Sequence, residues 1–215
     1  MIEMIKRLTR SLKREKNWME RTSDAPKTFP VFQESLIEKV SSMESHAELI
    51  EGSSIITEKT SPAHNTAIHE IANAFMSFQD NRNLDFEVFT SNVALYCNEL
   101  HGDDNKNFFL PDVMVVCDRK GIREDGIHVV PTFVAEITSK ESKPIDFNQK
   151  MHVYVDIGVQ EYWVVDLQRK RIVRYLSEDP FYPEEFLYSD TKTMIVQSFP
   201  GLEVDLTGIF ETEFD

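Results

Sequence analysis

Two short apolar runs, PDVMVVCD at 111–118 and PTFVAEIT at 131–138, limit what this chain can fold into. Val113 to Cys117 is continuously apolar. A strand of that kind belongs in the middle of a sheet covered on both faces, whereas a half-exposed strand would alternate. Each run carries one carboxylate that packing does not explain. Asp112 starts the first, directly after Pro111, and Glu136 lies inside the second. An ionised carboxylate is expensive there unless it is paired with a cation or bound to a metal. If the strands are neighbours, the two carboxylates converge. One of them then takes up a proton, or a cation lies between them. Mg²⁺ suits such a place because it wants oxygen ligands and keeps several waters, and Mn²⁺ is a workable substitute.

The flanking segments supply a second charge. In SPAHNTAIHEIANAFMSFQ, Ser61 is placed to cap a helix with Pro62 at its first position, and Ile68, Ile71, Phe75 and Phe78 recur at helical spacing. A second helix is expected from Pro144 to Ile157, closed by Gly158. On it, Asp146, Lys150 and Tyr154 are spaced four apart and share a face, beside an apolar stripe of Phe147, Met151 and Tyr154. Lys150 therefore borders the packed face, where its stem can reach the carboxylates while its ammonium stays in solvent. Elsewhere AELIEGSSIITEK reads as two strands folded about Gly52-Ser53, and DFEVFTSNVALYC as strand-like. EYWVVDL and RIVRYL read as a hairpin through Gln168-Arg169, with weak strands near Phe186 and Met194–Phe199. The order predicts an α/β or α+β domain, a mixed central sheet flanked by helices, over 41–215. Residues 1–40 are expected to form a basic helical extension with its linker, serving as a dimer arm, a surface helix or an arm for phosphates.

The net charge of -14 counts against a phosphate-binding surface but is unevenly spread. Residues 1–40 hold nine Lys/Arg against six Asp/Glu, and residues 176–215 one Lys against ten acids. No apolar run approaches the roughly 20 residues of a membrane span, and no signal-peptide core is present. Cys97 and Cys117 match no metal spacing and are expected to be buried, reduced thiols in strands, so the chain reads as cytoplasmic. The six histidines show no zinc spacing, and Tyr162-Trp163 reads as core.

The order PDVMVV, FVAEITS, DFNQKMHVYVDIGVQEYWVVD, with AELIEG and SPAHN upstream, resembles the PD-(D/E)xK, restriction-endonuclease-like nuclease superfamily over about residues 46–176. It looks closer still to a restriction-endonuclease branch expanded in cyanobacteria. The resemblance implies a restriction-endonuclease-like fold with a mixed, mostly parallel-centred sheet. It also implies a Mg²⁺-dependent endonuclease that hydrolyses DNA phosphodiester bonds by metal-activated water. Asp112 and Glu136 match the metal-binding carboxylates, Ile137 would offer its carbonyl, and Glu48 matches an acidic residue before the long helix. His64, Ser139 and Lys140 fall at positions expected to meet substrate. Where the superfamily has its Lys, this chain has Thr138. The branch moves that Lys to the next helix, here Lys150, and Lys140 and Lys143 are rivals for the role. Cutting both strands of a duplex takes two active sites or two successive binding events, so a homodimer is an expectation with no surface assigned. The alternative is a non-catalytic protein that keeps this fold and binds DNA or a protein partner.

Overall fold

One six-stranded sheet positions the candidate site, its strands in the spatial order Glu184–Leu187, Arg171–Leu176, Glu161–Asp166, Phe133–Thr138, Val113–Val116 and Glu87–Thr90. The protein is described here from a computed structural model, for residues 47–56, 61–100, 107–138, 142 and 144–211. All of these lie in the unit Gln33–Asp215. The expected extension over 1–40 lies outside the described residues, as do Ser139, Lys140 and Lys143.

Along the chain come β1 (Ala47–Ile50), β2 (Ser53–Ile56), α1 (Pro62–Arg82), β3 (Glu87–Thr90) and a helical turn α2 (Cys97–Leu100). Next are β4 (Val113–Val116), the small hairpin β5 (Ile122–Arg123) and β6 (Gly126–Ile127), and β7 (Phe133–Thr138). A π-helical segment (Ile145–Lys150) runs into α3 (Met151–Ile157). After it come β8 (Glu161–Asp166), β9 (Arg171–Leu176), β10 (Glu184–Leu187), β11 (Thr193–Val196), β12 (Leu202–Asp205) and α4 (Thr207–Phe210).

The mixed sheet is as expected, but its parallel character is confined to the central pair β7–β8, and the other four pairings are antiparallel. The single parallel step follows from the crossover through α3, since only a long connection can bring a strand back in the same direction. Both faces are covered. Ile71 and Phe75 of α1 pack with Phe133, Trp163 and the β11–β12 hairpin on one face. Val153, Tyr154 and Ile157 of α3 pack with Met114, Val134 and Val164 on the other. The four residues of β4 and the six of β7 are accordingly all buried, which is why β4 reads as an unbroken apolar run and β7 as one interrupted only by Glu136 before its terminal Thr138.

Local signals translate directly. Ser61 Oγ accepts from the His64 N–H at 3.1 Å, with Pro62 opening α1. Gly158 closes α3 at φ 92°, a conformation that favours glycine. The first hairpin turns at Glu51-Gly52, one residue earlier than expected, with both φ positive at 49° and 81°, as a two-residue turn between twisted strands requires. Three expectations are corrected. Only Glu87–Thr90 of the 85–97 run is strand, because the chain leaves the sheet after Thr90 to fold over α3. Cys97 is therefore buried in a helical turn, not a strand. Cys117 is exposed, standing one residue past the end of β4.

Candidate active site

β4 and β7 are antiparallel neighbours in the register Val113↔Ala135. One step further, Asp112 stands opposite Glu136, and alternation turns both side chains toward α3. The two carboxylates singled out in the sequence thus meet at one edge of the sheet's covered face. Glu136 is buried, while the Asp112 side chain keeps 16% of its surface.

Lys150 reaches this point from the π-helical segment. Its Nζ lies 3.0 Å from Glu136 Oε1, 2.9 Å from Glu48 Oε1 and 3.8 Å from Asp146 Oδ1. The expectation that its ammonium stays solvated is corrected: the side chain is only 6% exposed and lies among carboxylates. The wider π turn accounts for part of this, since i→i+5 bonding re-aims side chains and recurs at functional sites. Tyr162, from β8, holds the segment by donating its hydroxyl to the Asp146 carbonyl at 3.0 Å. Glu48 comes from β1, whose hairpin is fastened by reciprocal Leu49–Phe108 backbone bonds, and its Oε1 also accepts from the Leu110 N–H at 2.8 Å. The i,i+4 pair with Asp146, an ordinary helical partner for Lys150, is thus the longest of its three contacts.

His64, in the first turn of α1, approaches from the other layer. Its Nε2 is 3.2 Å from Asp112 Oδ2. Among the described residues its buried Nδ1 has no hydrogen-bond partner, and neither has the buried hydroxyl of Thr138 at the end of β7. Asp112 Oδ2 also accepts from the Ile137 N–H at 2.8 Å. The structure therefore brings together Glu48, His64, Asp112, Glu136, Ile137 and Lys150 from five separate segments. Sequence reasoning missed the hydroxyl of Tyr154, which donates to Glu136 Oε1 at 2.7 Å. The four-residue spacing from Lys150 was the signal that could have found it.

Among the described residues four carboxylates (Glu48, Asp112, Glu136, Asp146) face one lysine and one histidine, and the electrostatics reflect that imbalance. Burial pushes Glu136 well above the usual carboxylate range against the pull of Lys150, with Asp112, Asp146 and Glu48 adding to the rise. Burial likewise pushes Asp146 up to about 6, again opposed by Lys150. Lys150 is held well above its ordinary value because the attraction of Glu136, Glu48 and Asp146 outweighs its burial. For His64, burial works against the charged form, but the Asp112 hydrogen bond and charge outweigh it and the net is upward.

The donors fit a hard divalent cation. Asp112 Oδ1 and Glu136 Oε2 accept no hydrogen bond among the described residues, whereas the other oxygen of each carboxylate has two partners. Among the described residues no three His, Cys, Asp or Glu side chains form a cage for a metal. Mg²⁺ does not need one, since one or two carboxylates and several waters suffice.

A mixed sheet between helical layers, with Asp112 and Glu136 at facing positions on two adjacent strands, makes this an α+β fold. Residues 33–207 match the model of the Uma2 family, described as "Putative restriction endonuclease", and the chain belongs to that family. The structure is also similar to the crystal structure of "a putative nuclease belonging to DUF820" from Anabaena variabilis. The TM-score is 0.63 at 19% identity, covering 81% of this chain and 95% of that one, a likeness of fold. No curated protein matches the chain. No helix among the described residues is long and apolar enough to cross a membrane.

Proposed function

We propose that this chain is a Mg²⁺-dependent endonuclease that hydrolyses DNA phosphodiester bonds, with Mn²⁺ able to replace Mg²⁺. One observation carries the reading. Two carboxylate oxygens without partners among the described residues, Asp112 Oδ1 and Glu136 Oε2, project from facing positions on adjacent strands into a carboxylate-rich site.

Asp112 and Glu136 would hold the cation, with the Ile137 carbonyl as a backbone ligand. Bound there, a divalent ion acidifies water and stabilises charge on a phosphate, the chemistry of phosphodiester hydrolysis. The protein's own residues do the rest. Lys150 supplies the counter-charge that Glu136 and Glu48 share. Glu48, anchored by the Leu110 N–H, holds that ammonium in place. His64 orients Asp112 through Nε2 and, in the first turn of α1, is proposed to stand near the bound substrate. Ser139 and Lys140 follow β7 directly and are the next contacts proposed for the phosphate backbone.

The test is nicking and cleavage of supercoiled plasmid with Mg²⁺ or Mn²⁺, beside EDTA and a Glu136→Gln variant. Metal-dependent cutting that falls by more than about 100-fold in the variant is expected. Equal cutting by both proteins would assign the activity to a contaminant. Absence of cutting on duplex, single-stranded and branched substrates would favour a protein that keeps the fold and binds DNA or a partner without catalysis.

A further inference from the structure

We infer that Tyr154 is a positioning residue for the metal site: its hydroxyl pins one oxygen of Glu136 so that the other is presented to the cation. This rests on the metal reading above. The hydroxyl donates to Glu136 Oε1 at 2.7 Å, and Lys150 Nζ meets the same oxygen at 3.0 Å. No donor among the described residues reaches Oε2. A carboxylate held by two donors on one oxygen cannot rotate without breaking both bonds, so Oε2 keeps a constant direction.

The ring cannot swing away either. Tyr154 is fully buried, edge-on to Phe109 at 5.4 Å and tilted against Tyr162 at 4.8 Å. It also lies four residues after Lys150, so one helical face delivers both donors. The difference in their charge is useful. Lys150 is already shared with Glu48 and could slide across to cover both oxygens of Glu136. A phenol bonded to Oε1 adds a donor without adding positive charge, and leaves Glu136 a stronger ligand than a second ammonium would. Burial and the neighbouring Glu136 raise the phenol well above its ordinary value, so it stays a donor. Partners of a metal ligand that act in this way typically account for about 10- to 100-fold in metal affinity.

A buried tyrosine hydroxyl needs some partner in any case, so the test must separate positioning from plain packing. Mn²⁺ affinity, read by electron paramagnetic resonance without DNA, is compared in wild type, Tyr154→Phe and Tyr188→Phe, alongside the metal-free melting temperature. Tyr188→Phe removes the hydroxyl of another buried tyrosine, one that donates to the Glu211 carboxylate on the opposite face of the sheet. The expected result is Mn²⁺ binding weakened about 10-fold or more in Tyr154→Phe. It should stay within about threefold in Tyr188→Phe, and both proteins should melt within about 5 °C of wild type. Unchanged Mn²⁺ affinity in Tyr154→Phe, or an equal loss in both variants, would overturn the inference and leave Tyr154 a packing residue. Wild-type protein that binds no Mn²⁺ would instead overturn the metal reading itself. If Tyr154→Phe does not fold, the ultraviolet difference spectrum of Tyr162→Phe on adding Mg²⁺ decides. A buried-tyrosine signal that disappears with Glu136→Gln supports the inference, and its absence overturns it.

Discussion

The central parallel pair β7–β8 buries a glutamate at each end, and the two are treated in opposite ways. At the start of β8, on the α1 face, Glu161 is fully buried and both its oxygens are satisfied. Oε1 accepts from Trp163 Nε1 at 2.8 Å, and Oε2 from the Ser198 N–H at 2.7 Å and the Ser198 hydroxyl at 2.8 Å. Arg174 stands 3.7 Å off. Ser198 lies in the β11–β12 turn, so Glu161 fastens that hairpin to the sheet. Near the end of β7, on the α3 face, Glu136 has two donors on one oxygen and, among the described residues, none on the other. Burial alone does not distinguish a structural carboxylate from a functional one. Under the metal-site proposal, the distribution of donors between the two oxygens is what sets Glu136 apart from Glu161.

Removing the counter-charge should produce the largest effect. Lys150→Met leaves Glu48 and Glu136 buried without a cation and should cost about 3–5 kcal/mol, read as a fall in the denaturant midpoint together with loss of metal-dependent cutting. Glu161→Ala should also destabilise, by about 2–4 kcal/mol, because the Trp163 and Ser198 donors lose their acceptor. If the comparison holds, Mn²⁺ affinity in the folded Glu161→Ala protein is unchanged, and a shared loss would break it.

The buried carboxylate Asp146 sharpens the comparison through pH. Its carboxyl is pushed up to about 6 in the folded chain, from 3.8. Between those values the folded protein holds the proton more tightly than the unfolded one. Its contribution is therefore complete below about pH 3.8 and is lost as pH rises towards 6. Metal-free wild type should lose ground in melting temperature against Asp146→Asn across that window, and the difference should flatten above about pH 7. The smallest effect is expected at the cap of α1: Ser61→Ala should cost about 1 kcal/mol by denaturation, with a weaker loss in cutting through His64.

Several parts of this molecule were legible from a few adjacent residues. Ser61-Pro62 opened α1, Gly158 closed α3, and the apolar runs of β4 and β7 announced strands covered on both faces. Asp112 and Glu136 stood out because a charge inside such a run has few inexpensive explanations. The run 85–97 was misread because strand-like composition also suits a loop that packs its apolar residues over a helix. The exposure of Cys117 was missed because the end of β4 is set by its neighbours in the sheet.

By itself, then, the sequence determined the elements, their caps and the residue types of the candidate site, since those depend on steric and hydrophobic patterns a few residues long. The tertiary structure decided the pairing of Lys150 with Glu48, about 100 positions away, and the single parallel step in the sheet. It also decided the π turn that aims Lys150, and the different fates of Glu136 and Glu161. These depend on which strands lie side by side and in what register, and in a register of period two one residue's shift sends a side chain to the opposite face.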